Sequence, residues 1–579
     1  MNVNEVTDSR VLYTSIITRS HPQPVAQDEN LRRITVSNDD GDVYVESSGD
    51  GSEIVLKTEK VRVDGDVYCE GSQVGLSARI DAVFPPKCVR PGGDKLQYDG
   101  SEWLCICNGA FGGETCETTW TPEARVVNTS ESSGGWYSDE QAHLIAADGD
   151  EILIGGGQRR PMILKRVESA TGAFAWEAVW NFSSKYIWVE NTKYDTTSFG
   201  ASVALEGDLA LVGAPQQSIC LREYNDANNG YSYCDRSVNG PGFALIFARV
   251  GSSDEWQLEA NLTASDAPTY VQYWNSNENN TNYAYVRFGT DVALSGDYAI
   301  VTSRRTHYGY QETYGGDHVE RIVPGAAYVF KRQGANQWIQ QAKLVSDLGN
   351  ATNNDDYMYY YEGDDFGRSV DLSGDVAVVS AHADYEKGYR AGAAYVFTRA
   401  EDNGSEVWQR TAKLTASDAS PHDVFGFVVS VSGDYIFIGA PQDDENGSES
   451  GSVYVFTRVT SSSAWIQVAK LTASNAAPND RFGYSVSVKG ARALIGAPWK
   501  ASAFGGAGVV YVYEQDQNSD EWREALVKLT DFAGLKSQFG ERVSLSNDYA
   551  VGGVFLRDYY MGGESDDFVI VISNVSSIP

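Results

Sequence analysis

The chain has 579 residues, longer than one ordinary folding unit, and sets 79 acidic side chains against 45 basic ones for a formal net charge of −34. A surface that acidic repels phosphate backbones and anionic bilayers, which argues against nucleic-acid binding and membrane-surface docking. With 57 Gly, 34 Tyr, 13 Trp and only 4 Met, the composition suits an all-β protein rich in tight turns, and no run of 18 apolar residues offers a membrane-spanning helix.

Residues 1–30 show no clear period and no apolar stretch of the kind a secretory leader carries, so they read as an extended arm. Residues 31–85 alternate polar and apolar side chains between Asp-Gly and Gly-Asp turns, as in RRITVSNDDGDVYVESSGDG, and read as a β-rich stalk. The pattern resembles shaft segments of fibre proteins. Residues 86–117 contain CVRPGGDKLQYDGSEWLCICNGAFGGETC, whose C-x-C-x8-C ending with a nearby Gly-Gly resembles the C-terminal half of an EGF-like module. That resemblance implies bridges Cys88–Cys105 and Cys107–Cys116. The module lacks a sixth cysteine, so Cys69 is left as either an intermolecular bridge or a buried free thiol. Cys220 and Cys234, in one later loop, are expected to bond each other. Seven cysteines and eight N-x-S/T sequons (Asn128, Asn181, Asn261, Asn279, Asn350, Asn403, Asn446 and Asn574) point to an oxidising, extracellular or particle-surface location.

From residue 118 onward one degenerate unit recurs. Its clearest copy reads FGFVVSVSGDYIFIGAP (425–441), GSVYVFTR (451–458) and WIQVAKLTAS (465–474). The Phe-Gly landmark returns at Phe199, Phe288, Phe366, Phe425, Phe482 and Phe539, and a seventh copy at 141–157 keeps the Gly-Asp turn without the Phe-Gly. Each unit holds four short alternating runs, here called A, B, C and D, with a hairpin signal between A and B. A four-stranded sheet repeated at this period is a propeller blade. The last unit lacks a D run, and TWTPEARVVN (119–128) matches WIQQAKLVSD, so residues 118–579 are expected to form a seven-bladed β-propeller closed by an N-terminal strand.

These units resemble FG-GAP repeats, the type that builds the integrin α-subunit head and many secreted proteins. In integrin-like copies some A–B turns carry a D-x-D-x-D-G calcium loop. Here those turns read Glu-Gly-Asp, Ser-Gly-Asp, Lys-Gly-Ala or Ser-Asn-Asp, too short and too poor in oxygen ligands, so no cofactor or metal is expected. Asp443 and Asp444 follow a Gly-Ala-Pro and leave room for weak calcium binding, and His307 and His318, which share an insertion, are a second place where a metal could be met.

In a four-stranded meander the B–C and D–A loops leave one face, and four long insertions (216–241, 266–287, 303–324 and 346–365) all fall there. They hold Tyr231, Tyr233, Tyr270, Tyr273, Trp274, Tyr283, Tyr285, Tyr308, Tyr310, Tyr314, Tyr357, Tyr359, Tyr360 and Tyr361. Tyrosine offers a rigid apolar plate with a polar tip, suited to protein partners and sugar rings alike. A structural cap of rings folded onto one another is the alternative. The integrin-like resemblance implies ligand binding on this face. The six histidines form no metal or catalytic motif; His307 and His318 share an insertion and read as surface residues, and Asp364-Asp365 and Asp443-Asp444-Glu445 read as solvated acidic loops. The expectation is therefore a non-enzymatic structural or adhesion protein, a subunit of a filament or hair-like assembly that contacts other copies and no nucleic acid. A carbohydrate- or receptor-binding fibre head is the alternative, and a hydrolase a third.

Overall fold

The computed structural model describes, before residue 144, only 34–36, 43–45, 67–68, 95–98, 103–106 and 122–127. Beyond that it describes 144–573 except 156–160, 169–173, 182–185, 190–191, 196–197, 216–217, 226–231, 240–241, 252, 267–286, 305–308, 313–317, 322–324, 348–362, 460–463, 501–507, 517–518, 531–537, 548 and 555–567. Residues 1–122 belong to one compact unit and most of 123–577 to another.

In the first unit, Ile34–Val36 pairs with Val43–Val45, and Val67–Tyr68, Lys95–Tyr98 and Trp103–Ile106 form a three-stranded sheet. That sheet takes strands from both sides of the expected division between stalk and cysteine module, since Val67 pairs with Leu96 and Leu96 with Cys105. Cys69, Cys88, Cys107 and Cys116 lie outside the described residues.

The second unit is an all-β propeller. Six blades are each built from one stretch of chain: 145–181, 202–262, 288–344, 370–414, 428–471 and 485–530. A further four-stranded sheet is shared between the two ends of the propeller region: Arg542–Leu545, Tyr549–Val554 and Phe568–Ser573 are followed in sheet order by Pro122–Val127. The seven units expected from the repeat thus resolve into six contiguous blades and this composite sheet. The A strands touch in succession, and Arg542–Leu545 touches the A strands of both blade 6 and blade 1.

The strand order explains the residue pattern. B strands such as Leu209–Ala214, Val376–Ala381 and Tyr435–Ala440 are nearly continuous apolar runs because other blades cover both their faces. D strands, at the rim, alternate: Trp465–Leu471 buries its two ends and exposes Ile466 and Val468. The core accordingly lies between blades, where Phe437 and Val455 of blade 5 pack on Phe482, Ile495 and Tyr511 of blade 6.

The Phe-Gly and Gly-Ala-Pro landmarks are the joints of the ring. A Cβ at the Gly of Gly-Ala-Pro would lie 2.1 Å from the Gly483 carbonyl for Gly439, and 2.0 Å from that of Gly540 for Gly496. Only glycine lets adjacent blades approach this closely. The residue before five of the six Phe landmarks sits in the left-handed region, with φ of 47° at Arg287, 53° at Asp365, 51° at Val424, 53° at Arg481 and 50° at Gln538. At the opposite end the A–B turns are laced together. The Gly296 amide donates to the Glu206 carboxylate (2.7 Å), Gly374 to the Ser295 hydroxyl (3.0 Å), Gly433 to Ser373 (3.2 Å) and Gly490 to Ser432 (3.0 Å). The short Ser-Gly-Asp turns thus bond one blade to the next.

One loop beside these joints carries a pH signature. Asp423 is 4% exposed and accepts the Ser420 amide at 2.7 Å. Burial, with the nearby Asp443 charge adding to it, pushes its carboxyl up to about 6. An unfolded Asp titrates near ~3.9, so the folded protein holds the extra proton between about 4 and 6. The resulting stability is present below that window and is lost as pH rises through it. Asp423→Asn is expected to flatten the pH dependence of the urea midpoint between about pH 4 and 6; an unchanged slope would assign it to other groups.

Candidate functional site: the charged end of the propeller

The D–A and B–C connections leave the propeller at the Phe-Gly end, and the described insertions build new structure there. Tyr186–Val189, Thr192–Asp195, Ser218–Asn225 and Ser232–Asn239 form a four-stranded sheet of their own. It joins the connection ahead of blade 2 to that blade's B–C insertion, and the sequence reading did not anticipate its first two strands. Its register pairs Cys220 with Ser237 and Cys234 with Glu223. A second hairpin, Gly309–Glu312 with His318–Arg321, rises from blade 3. Tyr233 and Tyr310 stand in these strands. Tyr231, Tyr270, Tyr273, Trp274, Tyr283, Tyr285, Tyr308, Tyr314, Tyr357, Tyr359, Tyr360 and Tyr361 lie outside the described residues, as does His307.

What the structure does assemble at this end is a group of buried charges. Blades 3 and 4 have lost Gly-Ala-Pro and read Thr302-Ser303-Arg304 and Ser380-Ala381-His382, so Arg304 and His382 occupy the proline position. Arg304 donates to the Asp365 carboxylate (3.0 Å), and His382 Nε2 stands 3.7 Å from the same carboxylate. Burial works to raise the Asp365 pKa, but Arg304, with Arg368 nearby, overcomes it and holds the group down at about 2. Arg304 lies at the start of the 303–324 insertion and Asp365 at the end of the 346–365 insertion, so their ion pair joins those two ends. Asp364 is therefore buried and Asp365 half-buried against Arg304, in contrast to the solvated loop expected. Asp365 is ionised against Arg304, and burial raises the pKa of Asp364.

Further in, Arg368 directly follows the Phe366-Gly367 landmark and is 4% exposed. It stacks 3.8 Å above the Phe427 ring and donates through Nε to the Phe427 carbonyl (3.1 Å). Burial, then Arg304, disfavours its charge. Phe427 packs on Tyr484 (4.8 Å between centroids) and Tyr484 on Trp499 (4.8 Å), while Arg542 lies 5.7 Å over Tyr484. Burial keeps His382 neutral and raises Glu541. Repeat reasoning missed this group; its readable signal was the departure from Gly-Ala-Pro in blades 3 and 4.

In the other acidic loop Asp443 is buried while Asp444 and Glu445 are exposed. Asp443 is buried and accepts from the Tyr454 hydroxyl (2.8 Å), the Ser452 hydroxyl (2.9 Å) and Lys470 (3.0 Å), while Asp444 accepts the Glu449 amide (2.7 Å). Exposed Glu445 shares Lys470. Trp256, Trp465 and Trp522 are buried in the cores between blades. Of the sequons, Asn181, Asn403 and Asn446 are exposed and Asn261 is half-buried in a strand; Asn128, Asn279, Asn350 and Asn574 lie outside the described residues. Among the described residues no group of three His, Cys, Asp or Glu side chains is placed to hold a metal ion, and no helix is long and apolar enough to cross a membrane.

Residues 360–397, 408–456 and 465–513 match the family model described as FG-GAP repeat. These are FG-GAP repeats. The matched stretches run from blade 4 to the third strand of blade 6, where Phe366, Phe425 and Phe482 are fully buried and Gly392 and Gly451 abut the next blade. No curated protein matches the chain.

Proposed function

We propose that the chain is a non-enzymatic extracellular or particle-surface protein that serves in adhesion or as a subunit of a filament or hair-like assembly. The observation that carries this reading is the FG-GAP propeller whose extra sheet and hairpin, with the roots of the Tyr-rich insertions, all gather at one end. The composite sheet is read as a seventh blade closing the ring. Tyr549 donates to the Glu151 carbonyl (2.6 Å) and the Ala147 amide to Ser544 (3.0 Å), which supports that reading. The N-terminal region is read as a stalk with a partial EGF-like module, and Cys69 as a cross-link between copies. The head is compared with integrin-like heads on the repeat alone.

Purified protein is expected to form oligomers or filaments visible by electron microscopy. Cys69→Ser is expected to abolish any reduction-sensitive species on non-reducing gels. A strictly monomeric protein that binds defined sugars on a glycan array would replace this reading with a carbohydrate-binding head. Hydrolase activity retained by the purified chain would overturn the non-enzyme assignment.

A further inference from the structure

The composite sheet is joined to the rest of the propeller through its inner strands. On one side the Leu545 amide donates to the Ser487 hydroxyl of blade 6 (3.1 Å). On the other, the Ala147 amide donates to Ser544 (3.0 Å), Ser546 donates to the Gly149 carbonyl (3.2 Å) and Tyr549 to the Glu151 carbonyl (2.6 Å). Tyr549, Val551 and Val571 share a core with Ile152, Ile154 and Leu164 of blade 1, and Trp176 meets the Tyr549 ring edge-on at 5.0 Å. Lys489 of blade 6 also reaches Asp148 of blade 1 (2.7 Å). Each of these contacts is made by residues 544–571 or by blades 6 and 1, and none draws on Pro122–Val127.

That strand is also attached differently from the other outer strands. In blade 5, Trp465–Leu471 follows its sheet neighbour Ser452–Arg458 directly along the chain, and the outermost strands of the other five contiguous blades do the same. Pro122–Val127 instead lies at the sheet edge beside Phe568–Ser573, from the opposite end of the chain, and no hairpin returns it to that place. Residues 128–143, NTSESSGGWYSDEQAH, follow it and when fully extended reach roughly 50 Å, far enough to set the strand on a neighbouring molecule. Its mate, FVIVIS, carries no charge, so an empty edge there is a strong template for another strand.

We propose that Pro122–Val127 is an exchangeable strand: the propeller holds together without it, and in the assembly the strand of one copy completes the composite sheet of the next. The second copy as donor rests on the assembly reading given above. The exchanged pairing repeats the backbone hydrogen bonds of the unexchanged one, so the connecting segment and the protein concentration decide which copy supplies the strand. A copy that passes its strand forward and receives one from behind makes a head-to-tail contact, which grows into a filament wherever the rotation does not close.

The test uses the full chain carrying Arg125→Pro and Val126→Pro together. Adjacent residues of an edge strand send their amides to opposite sides, so one of the two prolines removes a bond to Phe568–Ser573. The variant is expected to keep its far-UV circular dichroism and cooperative unfolding, to lose filaments, and to bind a labelled synthetic peptide of residues 119–128 saturably. In dilute wild type, amide hydrogen exchange is expected to be on the order of a hundredfold faster at 123–127 than at Tyr549–Val554. Undiminished filaments in the folded variant, or no peptide binding by it, would overturn strand exchange and leave the assembly reading standing. A variant that fails to fold, or equal exchange rates in wild type, would make the strand integral to the propeller and overturn the inference at its root. Wild type that stays monomeric at every concentration would overturn the assembly reading and, with it, the second copy as donor.

Discussion

Gly451→Ala is expected to cost more than about 4 kcal/mol, enough to unfold much of the propeller, whereas Gly433→Ala costs only about 1 kcal/mol. Both glycines have positive φ, +83° at Gly451 and +57° at Gly433, so the conformational penalty is similar. They differ in what a methyl group would meet. At Gly451 it would lie 2.1 Å from the Phe482 carbonyl oxygen and 2.5 Å from the Phe482 nitrogen, while at Gly433 nothing stands within 4 Å. Because the obstruction is backbone of the neighbouring blade, no rotamer change relieves it, and the two blades must separate. Urea unfolding followed by far-UV circular dichroism compares the pair directly. Equal midpoints would show that close blade approach does not limit stability at this joint.

The second large effect is expected at Asp365. Asparagine keeps the shape and tolerates a φ of 53°, so Asp365→Asn removes little besides the charge. What remains is Arg304 without its carboxylate, beside Arg368, in a buried setting. Breaking a buried pair in this way costs about 3–5 kcal/mol. A pH signature accompanies the loss. The folded carboxyl is held at about 2, below the unfolded value, so its stabilisation is present above about pH 4 and disappears as pH falls toward 2. The variant is expected to lose that part of the acid-unfolding profile as well as stability at neutral pH. A variant as stable as wild type at pH 7, with the same acid profile, would remove Asp365 from the support of the aromatic insertions.

The blade frame was legible because its physics is periodic. Phe425, Gly439 and Gly451 recur for packing reasons that each blade must satisfy, so the spacing of the letters reported the spacing of the strands. The charged end was less legible. Arg304 and His382 announce themselves only as departures from Gly-Ala-Pro, and the pairing of Arg304 with Asp365 joins residues far apart in the chain. The sheet formed by Tyr186–Val189, Thr192–Asp195 and their partners from the blade 2 insertion lies outside the repeat altogether, so no period could predict it. The acids at 364–365 and 443–445 looked solvated because runs of acid usually are. The structure instead buries Asp364 and Asp443 and half-buries Asp365, and hydroxyls or cations meet Asp365 and Asp443.

The composite sheet also sets an order of events. Pro122–Val127 is synthesised ahead of every blade, yet its neighbour in the sheet, Phe568–Ser573, emerges after all of them. Throughout translation the early strand has an open edge and no mate. Pairing it at the end closes a loop that contains nearly the whole propeller, the costliest kind of contact for a folding chain. Ring closure is therefore expected to be the slow, late step, and the interval before it the time when stray edges find one another between molecules.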